Sequence, residues 1–217
     1  MKSINNYINK NKKDICSKAV QALKKEYPAA VCTLDYKFDY QLLIATRLAA
    51  QCTDSRVNIV TKTLFSKYQS LKDFAFAKCE EIEKIIKPCG FFRTKAKDII
   101  NISKHLLEKY NAKVPDNMED LLSLPGVGRK TANLILGDIF KKPAVVVDTH
   151  CIRITKRLGL HNSKNAVIIE KILKDLLEKE ESNNFCHRLV IHGRKVCKAL
   201  SPKCDVCCMN SFCKKVF

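Results

Sequence analysis

The chain has 217 residues, 46% hydrophobic and 29% charged, enough to bury a full core in one large or two small domains. No apolar run approaches the roughly 20 residues of a membrane span, and the lysine-rich segment 1–13 lacks the apolar stretch of a secretory signal, which predicts an intracellular protein. The formal charge of +18 points to a polyanionic partner.

The chain reads as helices almost throughout. Ile15, Ala19, Val20, Leu23 and Tyr27 recur at helical spacing. Asp39 is the expected N-cap of a helix over 40–50, apolar nearly all round and therefore buried. Asp54 is the expected cap of the next, to about 68. Shorter helical patterns cover 71–77 and 79–87 before Pro88 and Gly90 break the chain, and a long helix fits 94–110. Asp116 and Glu119 read as a capping box opening a helix that stops at Pro125-Gly126, and another starts near Arg129. Residues 144–147 are the only strand-like run, and a lone strand has no partner, so they read as an extended connector. Asp148 or Thr149 then caps a helix stopped by Gly159. Two more helices fit 165–179 and 185–197.

Chemistry concentrates in three places. The first is Leu124-Pro125-Gly126-Val127-Gly128-Arg129-Lys130-Thr131-Ala132-Asn133. Two glycines two residues apart, between two helical patterns, allow a hairpin too tight for side chains whose N–H groups can approach a phosphate. Such a grip positions a nucleic acid without reading its bases. Lys130 follows in the first turn of the next helix, where the macrodipole and the adjacent Arg129 both favour the neutral, nucleophilic amine. The second is Asp148, eighteen residues on in Val147-Asp148-Thr149-His150. A carboxylate there can cap a helix, and can also accept a proton or stabilise a cationic sugar.

The third is the C-terminus. Five of the twelve cysteines fall in the last 21 residues. Cys197, Cys204, Cys207 and Cys213 are separated by six, two and five residues, a set that can surround one metal or cluster. Zinc more often uses two Cys-x-x-Cys knuckles, and only one pair exists here. Cys208 is a spare thiol that can replace Cys207 if the loop slips by one residue. The remaining cysteines lie mostly within apolar patterns as small core residues. Charge gathers at both chain ends. Residues 1–25 and 188–217 each carry a net +6, two thirds of the excess, as if the two ends formed one basic surface.

These motifs resemble bacterial endonuclease III, a family of helix-hairpin-helix DNA glycosylase/lyases, from about residue 15 onward. The resemblance rests on Ala50-Gln51-Cys52-Thr53-Asp54, on 124–133, on Val147-Asp148-Thr149-His150 and on the four-cysteine spacing. It implies an all-α fold of two helical domains with a DNA-binding cleft between them. A six-helix barrel with the hairpin would cover 32–142. Residues 1–31 and 143–217 together would carry a [4Fe–4S] cluster on Cys197, Cys204, Cys207 and Cys213. It implies a monomeric, cytoplasmic, nucleoid-associated base-excision-repair enzyme, not bound to membranes, acting on damaged double-stranded DNA. Lys130 would attack C1′ of a flipped-out oxidised pyrimidine nucleotide with help from Asp148, form a Schiff base, and cut the strand by β-elimination. Gln51 would fill the emptied stack. A residue near Phe91 would wedge beside the opposite base, although Phe91-Phe92 stand where the family often has an aliphatic side chain. DNA contacts are implied for Asp54, for Leu124, Gly126, Val127, Gly128 and Arg129 of the hairpin, for His150, and for Lys198 and Lys203. Two rival readings are an adenine-mismatch glycosylase, which generally lacks the lysine at position 130, and a non-catalytic zinc-containing DNA-binding protein, which needs neither Lys130 nor Asp148.

Overall fold

A computed structural model describes the backbone of residues 2–217 and the side chains from Lys10 onward. Part of the lysine-rich N-terminal segment therefore lies outside the described residues. The elements run α1 (Lys2–Glu26), α2 (Asp39–Leu48), α3 (Asp54–Lys67), α4 (Leu71–Ala75), α5 (Cys79–Ile86), a 3-10 turn (Lys87–Cys89), α6 (Phe92–Lys109), α7 (Met118–Ser123), α8 (Arg129–Asp138), α9 (Thr149–Arg157), α10 (Ala166–Leu176), a second 3-10 turn (Lys179–Glu181) and α11 (Ser182–Lys195). The fold is all-α, and among the described residues there is no strand and no helix long and apolar enough to cross a membrane. Packing divides the chain into two compact units, Cys32–Phe140 and the N-terminal residues through Val31 joined with Lys141–Phe217.

In Cys32–Phe140, α2 is the helix without a solvent side. Seven of its ten residues are buried, and it packs against α3, α6 and α8. Leu42, Leu43, Ile44 and Leu48 are fully buried, as are Val57 and Leu64 of α3 and Ala96, Ile99 and Ile102 of α6. The five-residue α4 is too short to hold itself together. Its capping box, Ser70 with Asp73, fixes the start: Asp73 accepts from the Gln69 and Ser70 N–H groups at 2.9 and 2.8 Å. Phe74 then fixes the helix to the core. Its ring is fully buried, with the rings of Tyr68, Phe65 and Tyr40 centred 5.2, 6.3 and 6.4 Å away.

In the other unit, α1 packs on α10 and α11, and α11 on α9. Ile15, Ala19 and Leu23 of α1 and Tyr27 just beyond it are buried, as their helical spacing predicts; Cys16 is buried with them, whereas Val20 is only half-buried. Ala144–Val147 is an extended connector, all four residues buried, with the Val146 N–H donating to Cys186 Sγ at 3.3 Å. Gly159, at φ +80°, ends α9 with paired bonds from its own N–H to Lys156 and from Leu160 to Thr155.

Three helix starts correct the sequence expectation. Asp39 is the first residue of α2 and not its cap; Phe38 is, and the Gln41 side-chain oxygen accepts from Lys37 and Phe38 at 2.8 and 3.4 Å. Thr53, not Asp54, caps α3, accepting from Arg56, while Asp54 accepts from Thr33 Oγ1 at 2.5 Å. Asn117, not Asp116, caps α7, accepting from the Asp120 N–H at 2.9 Å. Thr, Asn and Asp cap with similar strength, so where two such residues are neighbours, tertiary packing chooses.

Replacing Phe74 by Ala should cost about 3–5 kcal/mol, the range for deleting a large buried ring. Urea unfolding followed by circular dichroism measures it; a loss under about 1 kcal/mol would show that α4 is not held by this ring.

Candidate functional site

The hairpin is built on an ion pair. Arg47 of α2 and Asp98 of α6 meet at 2.6 and 2.7 Å, both about one-sixth exposed. Gly126 lies against this pair at φ +69°, and a Cβ there would sit 2.7 Å from Arg47 Nε and from Asp98 Oδ2. Glycine is thus required twice, by backbone conformation and by space. Leu124 and Val127 anchor the turn inward, and the Val127 N–H closes it on Leu124 O at 3.2 Å. Burial of both side chains makes them the anchors of the turn.

Gly128 is different. Its φ of −98° suits any residue, and nothing lies within 4 Å of where its Cβ would be. The protein's own packing therefore does not demand glycine here, contrary to the sequence expectation. It is the N-cap of α8 and offers no side chain to the first-turn N–H groups. Arg129 and Lys130 follow, both exposed, with no acidic residue in that turn. A bare helix start flanked by cations is an anion-binding arrangement.

Asp148 is the N-cap of α9, its Oδ1 accepting from the Cys151 N–H at 2.7 Å. The carboxylate is therefore held in one orientation. Asp148 and Lys130 belong to different units. His150, the second residue of α9, has Nδ1 3.1 Å from Arg153 Nη2. Gly193 of α11 leaves room for that ring, since a Cβ would collide with it.

Gln51 and Phe91 share an uncommon backbone. Both are non-glycine residues in the left-handed region, at φ 54° and 47°, and both are exposed, Phe91 by 66%. Beneath them lies Lys95, 1% exposed, whose ammonium donates to Leu48 O, Ala50 O and Cys89 O at 2.8, 2.7 and 2.8 Å. Burial pushes its pKa down from the ordinary lysine value. Burial chiefly raises the Cys89 thiol to about 11.

The C-terminal cysteines follow α11 in a loop with little regular structure. Cys197, Cys204, Cys207 and Cys213 all line one partly open cavity; Cys208 does not. Among the described residues, no three His, Cys, Asp or Glu side chains converge as a single-ion site. Arg157, 8% exposed, grips the loop. Its Nη1 reaches Cys197 Sγ at 3.2 Å and Lys198 O at 2.7 Å, and Nη2 reaches Ala199 O at 2.9 Å. Its own carbonyl accepts from Cys213 Sγ and from the Val216 N–H. Arg153 adds two bonds to Cys197 O, at 3.1 and 3.0 Å. His192, fully buried, spans from Tyr27 Oη at 3.1 Å to Cys207 Sγ at 3.4 Å. The Cys208 thiol hydrogen bond, with that of His192, draws Cys207 down to about 4, and the same contact pushes Cys208 up. Lys198 and Lys203 are exposed on the stretch between the first two cysteines.

Comparison with known proteins places this geometry. The family model described as "HhH-GPD superfamily base excision DNA repair protein" matches residues 44–179, which include the hairpin and Asp148. Endonuclease III of Synechocystis sp. is 44% identical over 204 residues, 94% of this chain and 93% of that one. The chain belongs to the endonuclease III family. Endonuclease III of Bacillus subtilis is also 44% identical, over 87% of each chain. A solved structure titled as a trapped endonuclease III–DNA covalent intermediate superposes with a TM-score of 0.89, at 40% identity, covering 94% of this chain and 96% of that one.

Within this endonuclease III framework, four residues escaped the sequence reading: Lys95, Arg153, Arg157 and His192. Three of them bond chiefly to backbone carbonyls, which leave no pairing signature in a sequence. A basic residue on the apolar face of a helical pattern was the available signal for Lys95 and Arg157.

The two hairpin glycines should respond differently to substitution. Gly126→Ala should cost about 1–3 kcal/mol in strain, before the clash with Arg47 and Asp98 is added. Gly128→Ser should leave stability unchanged or raise it, because serine is a good N-cap. Thermal unfolding of both variants checks this; equal losses would refute the division.

Proposed function

We propose that this base-excision-repair DNA glycosylase and AP lyase uses Lys130 as its covalent nucleophile on a damaged pyrimidine nucleotide in double-stranded DNA. The observation that carries the reading is the exposed Lys130 amine in the first turn of α8, directly behind the side-chain-free Gly128. The related protein trapped as a covalent DNA intermediate supports a nucleophilic route. Phosphate oxygens approach Gly128 and the first-turn N–H groups, where a side chain would keep them away. The damaged base leaves the stack, because its sugar is out of reach within a duplex. Lys130 Nζ attacks C1′ as the C1′–N bond breaks and the base departs with the bonding electrons. The amine loses its proton and the sugar ring opens to a Schiff base. Removal of a C2′ proton then expels the 3′ phosphate, cutting the strand. Asp148, held by the Cys151 N–H, stabilises the positive charge on the sugar and accepts the amine proton.

In the same reading, Cys197, Cys204, Cys207 and Cys213 hold a [4Fe–4S] cluster. Four thiols framing one cavity suit a multi-iron cluster, and the absence of Cys208 from its lining supports Cys207 as the ligand of the adjacent pair. Bound there, the cluster supplies iron–thiolate crosslinks that fix a loop otherwise held by Arg157, Arg153 and His192. Lys198 and Lys203 on that loop contact DNA phosphates. Gln51 fills the vacated stack and Phe91 wedges beside the opposite base. The enzyme acts as a monomer at the nucleoid.

Borohydride should trap the protein on lesion-containing duplex, and Lys130→Gln should abolish trapping while sparing binding. Trapping at the wild-type rate would refute the assignment. Asp148→Asn should lose on the order of 10²-fold in rate with little stability change, since Asn also caps well. A large stability loss with normal turnover per folded molecule would leave Asp148 only a cap.

Anaerobically purified protein should be yellow-brown with about four irons per chain, as the cluster type requires. Cys208→Ser should keep the colour and Cys207→Ser should lose it. Stoichiometric zinc without iron would refute the cluster.

A further inference from the structure

Lys95 is an expensive way to fill a core position. A cation taken from water costs several kcal/mol unless its donors are satisfied, and a leucine or methionine would pack there without that cost. An ammonium has three donors, and all three are used here. Their acceptors come from two separate segments. Leu48 O and Ala50 O close the end of α2, immediately before Gln51; Cys89 O closes the 3-10 turn, two residues before Phe91. The backbone N–H of Lys95 also donates to Phe91 O at 3.0 Å. One residue thus grips the approach to both left-handed positions, Gln51 and Phe91.

We propose that Lys95 is a positioning residue: it sets the spacing between Gln51 and Phe91, so that the two side chains enter the DNA stack as one unit. This rests on the reading of Gln51 and Phe91 as the stack-filling and wedging residues. Lys95 does not touch the reacting atoms. Its effect is confined to substrates that have a stack to open. A single-stranded abasic site presents C1′ to Lys130 with no opposite base and no gap to fill.

The test compares borohydride trapping of a duplex abasic site with that of a single-stranded abasic oligonucleotide. Lys95→Met keeps the length and removes the donors; Lys95→Gln keeps two of them. Lys95→Met should reduce duplex trapping on the order of 10²-fold, the effect of ångström-scale misplacement, with the single-stranded rate nearly unchanged. Lys95→Gln should lie between Met and wild type. The single-stranded rate reports the folded, active fraction, so the ratio stays informative when a variant folds poorly. Equal loss on both substrates by both variants would make Lys95 a structural residue and overturn the proposal. Gln51→Ala and Phe91→Ala separate the two levels. If they lose duplex trapping selectively and Lys95→Met does not, the positioning role alone is refuted. If they show no duplex-selective loss, the underlying reading of Gln51 and Phe91 falls as well.

Discussion

The contact between Gly126 and the Arg47–Asp98 pair is the constraint on which the hairpin depends. The pair joins α2 to α6, and the hairpin rests on it with no room for a methyl group. Leu124 and Val127 then turn into the core and leave the start of α8 to solvent. Lys130 inherits its exposure from this arrangement. An ion pair shielded to this degree resists loss of one partner, because the remaining charge would be left partly buried and unpaired. Its identity is thus tied to the exposure of the proposed nucleophile, Lys130.

The regular parts of the chain were legible because burial imposes a period. The stripe on α1, the all-round apolar α2 and the break at Pro88 and Gly90 each follow from one-dimensional pattern. The motif glycines were legible as a turn, but their separate reasons were not. Only the surroundings show that Gly126 is enforced from inside and Gly128 is not. Helix starts slipped by a residue at Asp54 and Asp116 because a second good cap, Thr53 or Asn117, stood next to each; at Asp39 the start is fixed instead by Gln41 accepting from the Phe38 N–H. Among the cysteines, spacing left Cys207 and Cys208 adjacent candidates, and only Cys207 lines the cavity shared with Cys197, Cys204 and Cys213.

Two buried cations solve the same problem in the two units. Loops that leave regular structure expose carbonyls that no helix satisfies. Lys95 gathers three of them below Gln51 and Phe91; Arg157 gathers two, and a thiol, behind the cysteine loop. The choice of cation follows from shape. The carbonyls around Lys95 converge on one point, which suits a compact ammonium. Those at Lys198 and Ala199, with the Cys197 sulfur, are spread along an edge, which suits a planar fork.

The left-handed backbones of Gln51 and Phe91 also set the two positions against selection for stability. Each non-glycine residue held in that region stores strain of about 1–3 kcal/mol. Glycine would release it at either site and delete the side chain in the same step. Asparagine would relieve part of it at Gln51 with a side chain one methylene shorter. Variants selected for thermal resistance alone will therefore drift toward glycine and asparagine at these two positions, giving up reach for ease. Under the proposed roles of Gln51 and Phe91, a long polar side chain at one and an aromatic ring at the other trade stability for activity through two backbone angles.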